Sequence, residues 1–481
     1  MVHRPTDGGD EAAAARAPES ARLLPRGGRR LLAAAALLHV ALAVGLFAAG
    51  RARVAPSLVD RDGIMPSFAF DSYEYRLGAE RLEGVLRERG LSAWAAAQGP
   101  AHVKLIALQF ALLGPLFGHS TLSAEPLNLL CYVAVVGLAL ALGNEVGGCR
   151  AGLLAGAVVA LWPTLLLHTT QLLKDPLFIA GALALVLVVT TWLTRDYGWR
   201  AAAAATALLA AVAGLLLLVR GKFAPVVFAL VLFGLALLVL RQLLERRVLY
   251  WNTLCPLLVL AAAAWLNVYA ANDGRAVKLY PPDGGGPPKA VADAVRLRSE
   301  ITYAGGVRAP KAESATLAGR LREAVERVTT EAASNRYRYN VSFPESGSGI
   351  DRDVGFARPG DVAAYLPRAA EIGFWAPFPD TWGGAGKTVG GAGRRLAAAE
   401  TFAIYLCQLL ALAAVLRAPR RIAAWLLLSA AAFGMTVLGL VVSNVGTLYR
   451  FRYTFWVLLI VLAAKGLAGV RDRRGAGGAA A

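Results

Sequence analysis

Four cysteines occur in 481 residues, Cys131, Cys149, Cys255 and Cys407, and none lies in a long polar stretch. No disulfide framework or zinc-ligand spacing can be drawn from them, and their apolar surroundings mark them as packing residues. Charge is missing where a transporter needs it. Near the middles of the long apolar runs there is no Asp, Glu, Lys or Arg, whereas ion-coupled transporters keep such groups at mid-depth for relays and binding. That argues against a pump. The formal net charge is +18, yet the basic residues are spread over short loops, with no basic patch or helix carrying interleaved aromatics. No nucleic-acid partner is therefore expected, and membrane topology accounts for the charge.

Apolar residues are abundant: 57% of the chain is hydrophobic and the mean hydropathy is +0.52. Such unbroken runs exceed what a soluble core uses and indicate an integral membrane protein. Residues 31–50 are about 20 apolar residues, enough to cross about 30 Å of hydrocarbon at 1.5 Å per residue. Arg22, Arg26, Arg29 and Arg30 precede this run and place its start in the cytoplasm. A signal peptide is the alternative, but the run is long for an apolar signal region and no convincing cleavage site follows, so a retained anchor is expected. Residues 1–30, rich in Ala, Gly, Arg and acidic residues without periodicity, are expected to form a disordered cytoplasmic tail. Further runs at 124–143, 151–171, 176–193, 201–219, 224–240, 248–270, 401–416, 421–442 and 453–470 bring the expectation to about ten transmembrane helices in an all-α polytopic protein.

One segment decides the topology. Residues 103–117 are apolar but short for a span and are interrupted by Lys104, Gln109 and Pro115. If they cross, the groups Arg195/Arg200, Arg241/Arg246/Arg247, Arg417/Arg420/Arg421 and Arg471/Arg473/Arg474 all face outward, against the positive-inside bias. If they lie in the interface, every one of these groups is cytoplasmic, with Arg150. The second arrangement is expected, with both termini in the cytoplasm. It divides the chain into an N-terminal membrane module (31–270) with a first outer loop (51–117), an extracytoplasmic segment (271–400), C-terminal membrane helices (401–470) and a cytoplasmic tail (471–481). The outer segment opens with the loop signature Pro281-Pro282-Asp283-Gly284-Gly285-Gly286-Pro287-Pro288, continues through an amphipathic helix at 312–335 and leads through 377–382 to Glu400 at the mouth of the next span.

The outer face collects the polar residues with chemical potential. Asp71 lies in Phe-Asp-Ser-Tyr-Glu-Tyr (70–75), and a carboxylate there, beside the bilayer and facing out, suggests a lipid-linked substrate. It is equally readable as a turn or N-cap residue before a helix starting near Tyr73. Lys174-Asp175-Pro176 is an ordinary helix start in which Asp caps and Pro leads. Lys174, Arg220, Lys222, Arg450 and Arg452 are placed to meet an anion near the outer surface; for the last two, snorkelling anchors are the alternative. His102 and His168 lie near the same face, as structural histidines or as hydrogen-bond partners of a ligand.

Asp71, Tyr75 and Gly78 in the first outer loop, Phe117-Gly118 closing an interfacial helix, and Asp175 in the next outer turn together resemble the layout of the GT-C superfamily of polyprenol-dependent membrane glycosyltransferases. The likeness is to bacterial relatives of the protein O-mannosyltransferase and aminoarabinose transferase group, glycosyltransferase family 39, and covers residues 31–194 best. The resemblance implies a plasma-membrane enzyme that moves a sugar from a polyprenyl-phosphate donor to a glycan, lipid or other acceptor at the outer face, with inversion. It implies Asp71 as base and Asp175 as a second site carboxylate, with Tyr75, Glu74, His102, Lys174, Arg220, Lys222, Arg450 and Arg452 binding substrate. No cofactor is certain; Asp71, Asp175 and Glu74 are oxygen ligands that could hold a divalent metal. The chain departs from the group where Ser72 follows Asp71 in place of a second acidic residue, and it lacks a Trp-Trp-Asp acceptor signature, so protein acceptors are unsupported. A polymerase or ligase using a polyprenyl diphosphate donor is the enzymatic alternative. A transporter or flippase of lipid-linked glycans, or a non-catalytic scaffold, is the alternative of another class.

Overall fold

The computed structural model describes residues 24–25, 27–220, 224–272, 316–342, 348–384 and 390–478. Within them the chain forms helices α1 (Gly28–Arg51), α2 (Asp71–Ala96), α3 (Ala101–Phe117), α4 (Glu125–Ala160), α5 (Pro163–Thr169), α6 (Asp175–Thr194), α7 (Trp199–Arg220), α8 (Ala224–Glu245), α9 (Tyr250–Asn272), α10 (Leu317–Ser342), α11 (Pro359–Trp375), α12 (Gly390–Leu416), α13 (Ile422–Val441), α14 (Val445–Phe451) and α15 (Tyr453–Gly478). Among the described residues there is no strand, only an isolated antiparallel bridge between Gly349 and Asn444. The protein is an all-α multi-pass membrane protein.

Seven described helices are long and apolar enough to cross a bilayer, or eight if α14 and α15, bent by 53° to one another, form one broken span. The expected count of about ten is thus not reached on this measure. Part of the difference lies in α4, which counts once although its backbone leaves helical geometry at Gly148 (φ 80°). A Cβ at Gly143 would stand 2.8 Å from Gly152 Cα, and Tyr132 Oη donates to Ala160 O at 2.6 Å. These contacts pair early with late residues of α4, so it is a tight hairpin turning at Gly148, a backbone position that glycine adopts without strain. Residues 103–117, the segment that decides topology, fall in α3, whose 17 residues include Pro115 and form one of the shorter apolar helices. The amphipathic helix expected at 312–335 is α10, displaced toward the C-terminus; residues 281–288, most of the 1–30 tail and Lys222 lie outside the described residues.

Lipid tails are as apolar as leucine, so helix association in a bilayer depends on close packing and on satisfied polar groups. Small residues supply the first. Gly373 of α11 and Gly439 of α13 bring those two backbones together, since a Cβ at either would strike a carbonyl of the facing helix. Polar contacts supply the second at the end carrying the arginine groups. Arg195 forms a two-pronged pair with Glu145 (Nε 2.9 Å, Nη2 2.5 Å), and Arg241 Nη1 donates to the α6 terminal carbonyls of Trp192 and Arg195 (both 3.0 Å) while its Nη2 meets Asp196 at 2.7 Å. At the other end of α6 stands Asp175.

A side chain at Gly152 has no room: its Cβ would lie 2.7 Å from Leu140 O and 3.0 Å from Asn144 N. Gly152→Val is expected to pry the α4 hairpin apart at a cost of roughly 1–3 kcal/mol, read as a lowered thermal midpoint of the detergent-solubilised protein. Gly84→Val, whose Cβ would meet nothing within 4 Å, is the control and should lower it by no more than the loss expected for a β-branched residue in an exposed helix.

Candidate functional site: a buried ion cluster at one end of the bundle

The loop before α2 is built by a carboxylate that the sequence reading passes over. Asp60 Oδ1 accepts from the backbone N–H of Asp62 (2.9 Å) and Ile64 (2.8 Å), and Tyr73 Oη donates to its Oδ2 at 2.9 Å. Gln171 ties the same loop to the segment before α6: its Oε1 accepts from Met65 N (2.9 Å) and its Nε2 donates to Gly63 O (3.2 Å). The first turn of α2 is thereby held against the start of α6, and Asp71 is the first residue of α2, with Phe70 as the N-cap.

Asp71, Asp175, Arg220 and Arg450, taken from four separate regions of the chain, meet there. Arg450 Nη2 donates to Asp71 Oδ2 at 2.5 Å, and its Nε lies 3.0 Å from Asp175 Oδ2. Arg220 donates to the other oxygen of Asp175. The side chains of Asp175, Arg220 and Arg450 are 6%, 8% and 13% exposed, and that of Asp71 is 31% exposed. The cluster therefore opens toward Asp71. In a low-dielectric setting each buried charge must be paired, and Asp175 has two guanidinium partners. Arg220 is also fixed by stacking, its guanidinium carbon 4.1 Å from the Phe451 ring centre and 4.9 Å from that of Phe178.

Three residues extend the cluster. Lys174 Nζ stands 5.7 Å from the Tyr75 ring centre, and His102 packs edge-on against the other side of that neighbourhood, 4.6 Å from Tyr75. Burial, then the charge of Arg220, lower the Lys174 pKa. Burial pushes the Tyr75 phenol up, with the Asp71 charge adding to it. His102 is pulled down to about 4 by burial and by Lys174, so it is neutral at physiological pH. Among the described residues neither of its ring nitrogens has a hydrogen-bond partner, although it is 3% exposed. A buried imidazole in that condition is open to a ligand's hydroxyl.

The remaining candidates lie elsewhere. Glu74 is exposed and makes no ion pair among the described residues. Arg452 is fully buried and turns to the end of α11: its Nη1 donates to Gly373 O at 2.9 Å, and its guanidinium lies 4.9 Å from the Trp456 ring centre. With Gln408 Nε2 on Phe374 O (3.0 Å) and Tyr405 Oη on Trp375 O (2.5 Å), it closes the last carbonyls of α11. His168 stacks on Phe68 (4.0 Å), and its Nδ1 lies 2.8 Å from both Thr164 O and Tyr453 Oη. Among the described residues no group of three or more His, Cys, Asp or Glu side chains is arranged to hold a metal ion; Asp71 and Asp175 are bridged by a guanidinium.

Two buried polar groups were not among the site candidates from sequence: Glu400, noted only as lying at the mouth of a span, and His39. Glu400 accepts from Trp162 Nε1 (2.9 Å), Thr164 N (2.8 Å), Thr164 Oγ1 and Tyr449 Oη, and so steadies the residue next to Arg450. Midway along α1, His39 is fully buried, with Nδ1 2.8 Å from Glu125 Oε1 and Nε2 3.1 Å from Thr169 Oγ1. A histidine within the first apolar run, at a span's midpoint, was the available signal for the second. Beside the ion cluster lies an apolar cavity of about 350 Å³, walled by Phe178, Val186, Leu216, Leu230, Phe433 and Leu458. Phe178 belongs both to this wall and to the stack that holds Arg220.

Removing one arm of a buried ion network strands its partner. Arg220→Met is expected to destabilise the protein by about 3–5 kcal/mol, and Arg220→Met combined with Asp175→Asn by less than the sum of the two single changes. Thermal unfolding of the four proteins in one detergent measures that coupling; additive losses would mean that the pair does not interact.

No protein-family model and no curated protein matches the chain. Among solved structures the chain is similar to the archaeal oligosaccharyltransferase AglB from Archaeoglobus fulgidus in complex with an inhibitory peptide and a dolichol-phosphate, at 13% identity and a TM-score of 0.42, over 84% of this chain and 46% of that one. It thus spans about half of the AglB chain. It is also similar to ArnT from Cupriavidus metallidurans bound to undecaprenyl phosphate, at 16% identity and a TM-score of 0.32, over 89% of this chain and 77% of that one.

Proposed function

We propose that the chain is a membrane glycosyltransferase that moves a sugar from a polyprenyl-phosphate donor to an acceptor at the outer face of the plasma membrane, with both termini in the cytoplasm. The observation that carries this reading is the ion cluster of Asp71, Asp175, Arg220 and Arg450, set beside an apolar cavity and flanked by Lys174. A phosphate on an isoprenoid chain has the matching form, an anion joined to a long apolar tail. The tail enters the cavity and the phosphate reaches the arginines. Lys174 adds positive charge near the same mouth, and Tyr75 and His102 offer a ring face and an imidazole without a partner among the described residues to the sugar.

In the reaction, an Asp71 carboxylate oxygen takes the proton of the acceptor hydroxyl, and the acceptor oxygen attacks the anomeric carbon. The bond from that carbon to the phosphate oxygen breaks, and its electron pair leaves on the polyprenyl phosphate. The products are the glycosylated acceptor, with inverted anomeric configuration, and the lipid phosphate, whose added negative charge is met by Arg220, Arg450 and Lys174. Asp175 positions both arginines and does not touch the sugar.

Asp71→Asn keeps the shape of the side chain and removes the base. Transfer from a radiolabelled polyprenyl-phosphate sugar in membranes, at matched expression, is expected to fall by roughly 10²–10⁴-fold. Unchanged transfer would remove Asp71 from the chemistry. A second reading, transport of a lipid-linked glycan, is favoured by a buried ionisable pair, His39 at the midpoint of α1 and Glu125 at the start of α4. It requires that His39→Asn abolish movement of the lipid across sealed vesicles, whereas the transferase reading requires only that transfer persist.

A further inference from the structure

We propose that in the unliganded protein Asp71 occupies the place on Arg450 that the donor's phosphate takes, so that donor binding itself releases the base. This rests on the transferase reading. Counted among the described residues, the cluster holds three cations, Lys174, Arg220 and Arg450, against two carboxylates, Asp71 and Asp175. By that count it has one positive charge to spare for an entering anion.

The partners are not equally able to yield. Asp175 is 6% exposed at the side chain and held by two arginines, and Arg220 is clamped between Phe178 and Phe451. Arg450 divides itself: its Nε faces the buried Asp175, and its Nη2 faces Asp71, the most exposed member of the four. An anion entering from the open side meets that outer edge of Arg450 and finds a carboxylate already on it. Two like charges at one guanidinium edge repel, and Asp71 is the one with room to move. It stands at the first residue of α2, where backbone N–H groups and the helix dipole favour a negative charge after it leaves the arginine.

The exchange has a kinetic meaning. While Asp71 Oδ2 accepts from Arg450 Nη2, that oxygen is occupied and cannot take an acceptor's proton. Displacement by the phosphate frees it when the donor is in place. An acceptor hydroxyl is therefore activated only in the donor-bound state, and binding is ordered with the donor first.

The test is the affinity of the purified full-length protein, in one detergent, for a long-chain polyprenyl monophosphate without sugar. If Asp71 competes with the phosphate, Asp71→Asn and Asp71→Ala tighten binding by about tenfold, while Asp71→Glu, which keeps the charge and can still reach Arg450, stays near wild type. Variants that bind equally or more weakly than wild type, with wild type binding, overturn the competition and leave the transferase reading standing. No saturable binding by wild type to polyprenyl monophosphate overturns the reading and the competition together.

Discussion

Everything at this end of the bundle depends on how two carboxylates and two guanidinium groups are kept charged away from water. Charges transferred singly into such a setting would carry a desolvation cost of several kcal/mol each. Shared between Asp71, Arg450, Asp175 and Arg220, they satisfy one another, and the helices that carry them are drawn to a common point. The arrangement constrains distant parts of the chain, since Asp71 and Arg450 are 379 residues apart in sequence.

A second tier of hydrogen bonds holds the short helix α14, which delivers Arg450. Asn444 caps α14 by accepting from Thr447 N at 3.1 Å, and Ile350 N and Val445 N bond across to Ser443 O and Ser348 O, both at 2.9 Å. Tyr449 is anchored on Glu400, and Tyr453 on His168. Arg336 of α10, 1% exposed, donates to the backbone carbonyls of Val354 (3.1 Å), Leu440 (3.0 Å) and Asp351 (2.6 Å), joining α10 and the stretch after it to the end of α13 just before this turn.

Much of this architecture was legible from periodic runs and loop charges. The apolar segments, the shortness of residues 103–117 and the gathering of the arginine groups at one end follow from hydrophobic thickness and charge bias alone. Asp71, Asp175, Arg220 and Arg450 could be singled out because charges at span ends stand out against so apolar a chain. Arg452 could be singled out for the same reason, yet, two residues on and past the end of α14, it turns to the carbonyls of α11. Sequence spacing does not register that difference, because the break between α14 and α15 sets the direction of each side chain. The α4 hairpin was visible as two apolar runs, while its closeness is a matter of Gly143, Gly152 and Gly156 facing one another.

Residue types and their order thus determined that the chain is helical and that it crosses the membrane repeatedly. Those properties are local: each depends on the transfer energy of a run or on charges beside it. Which charges meet, which remain free and which merely close a helix end was decided by the tertiary structure. Asp60 builds a turn while Asp71 reaches Arg450, and Glu400 is satisfied by four hydrogen bonds while neither nitrogen of His102 has a partner among the described residues. Pairing of buried charges is a property of three-dimensional distance and desolvation, and no single stretch of sequence contains it.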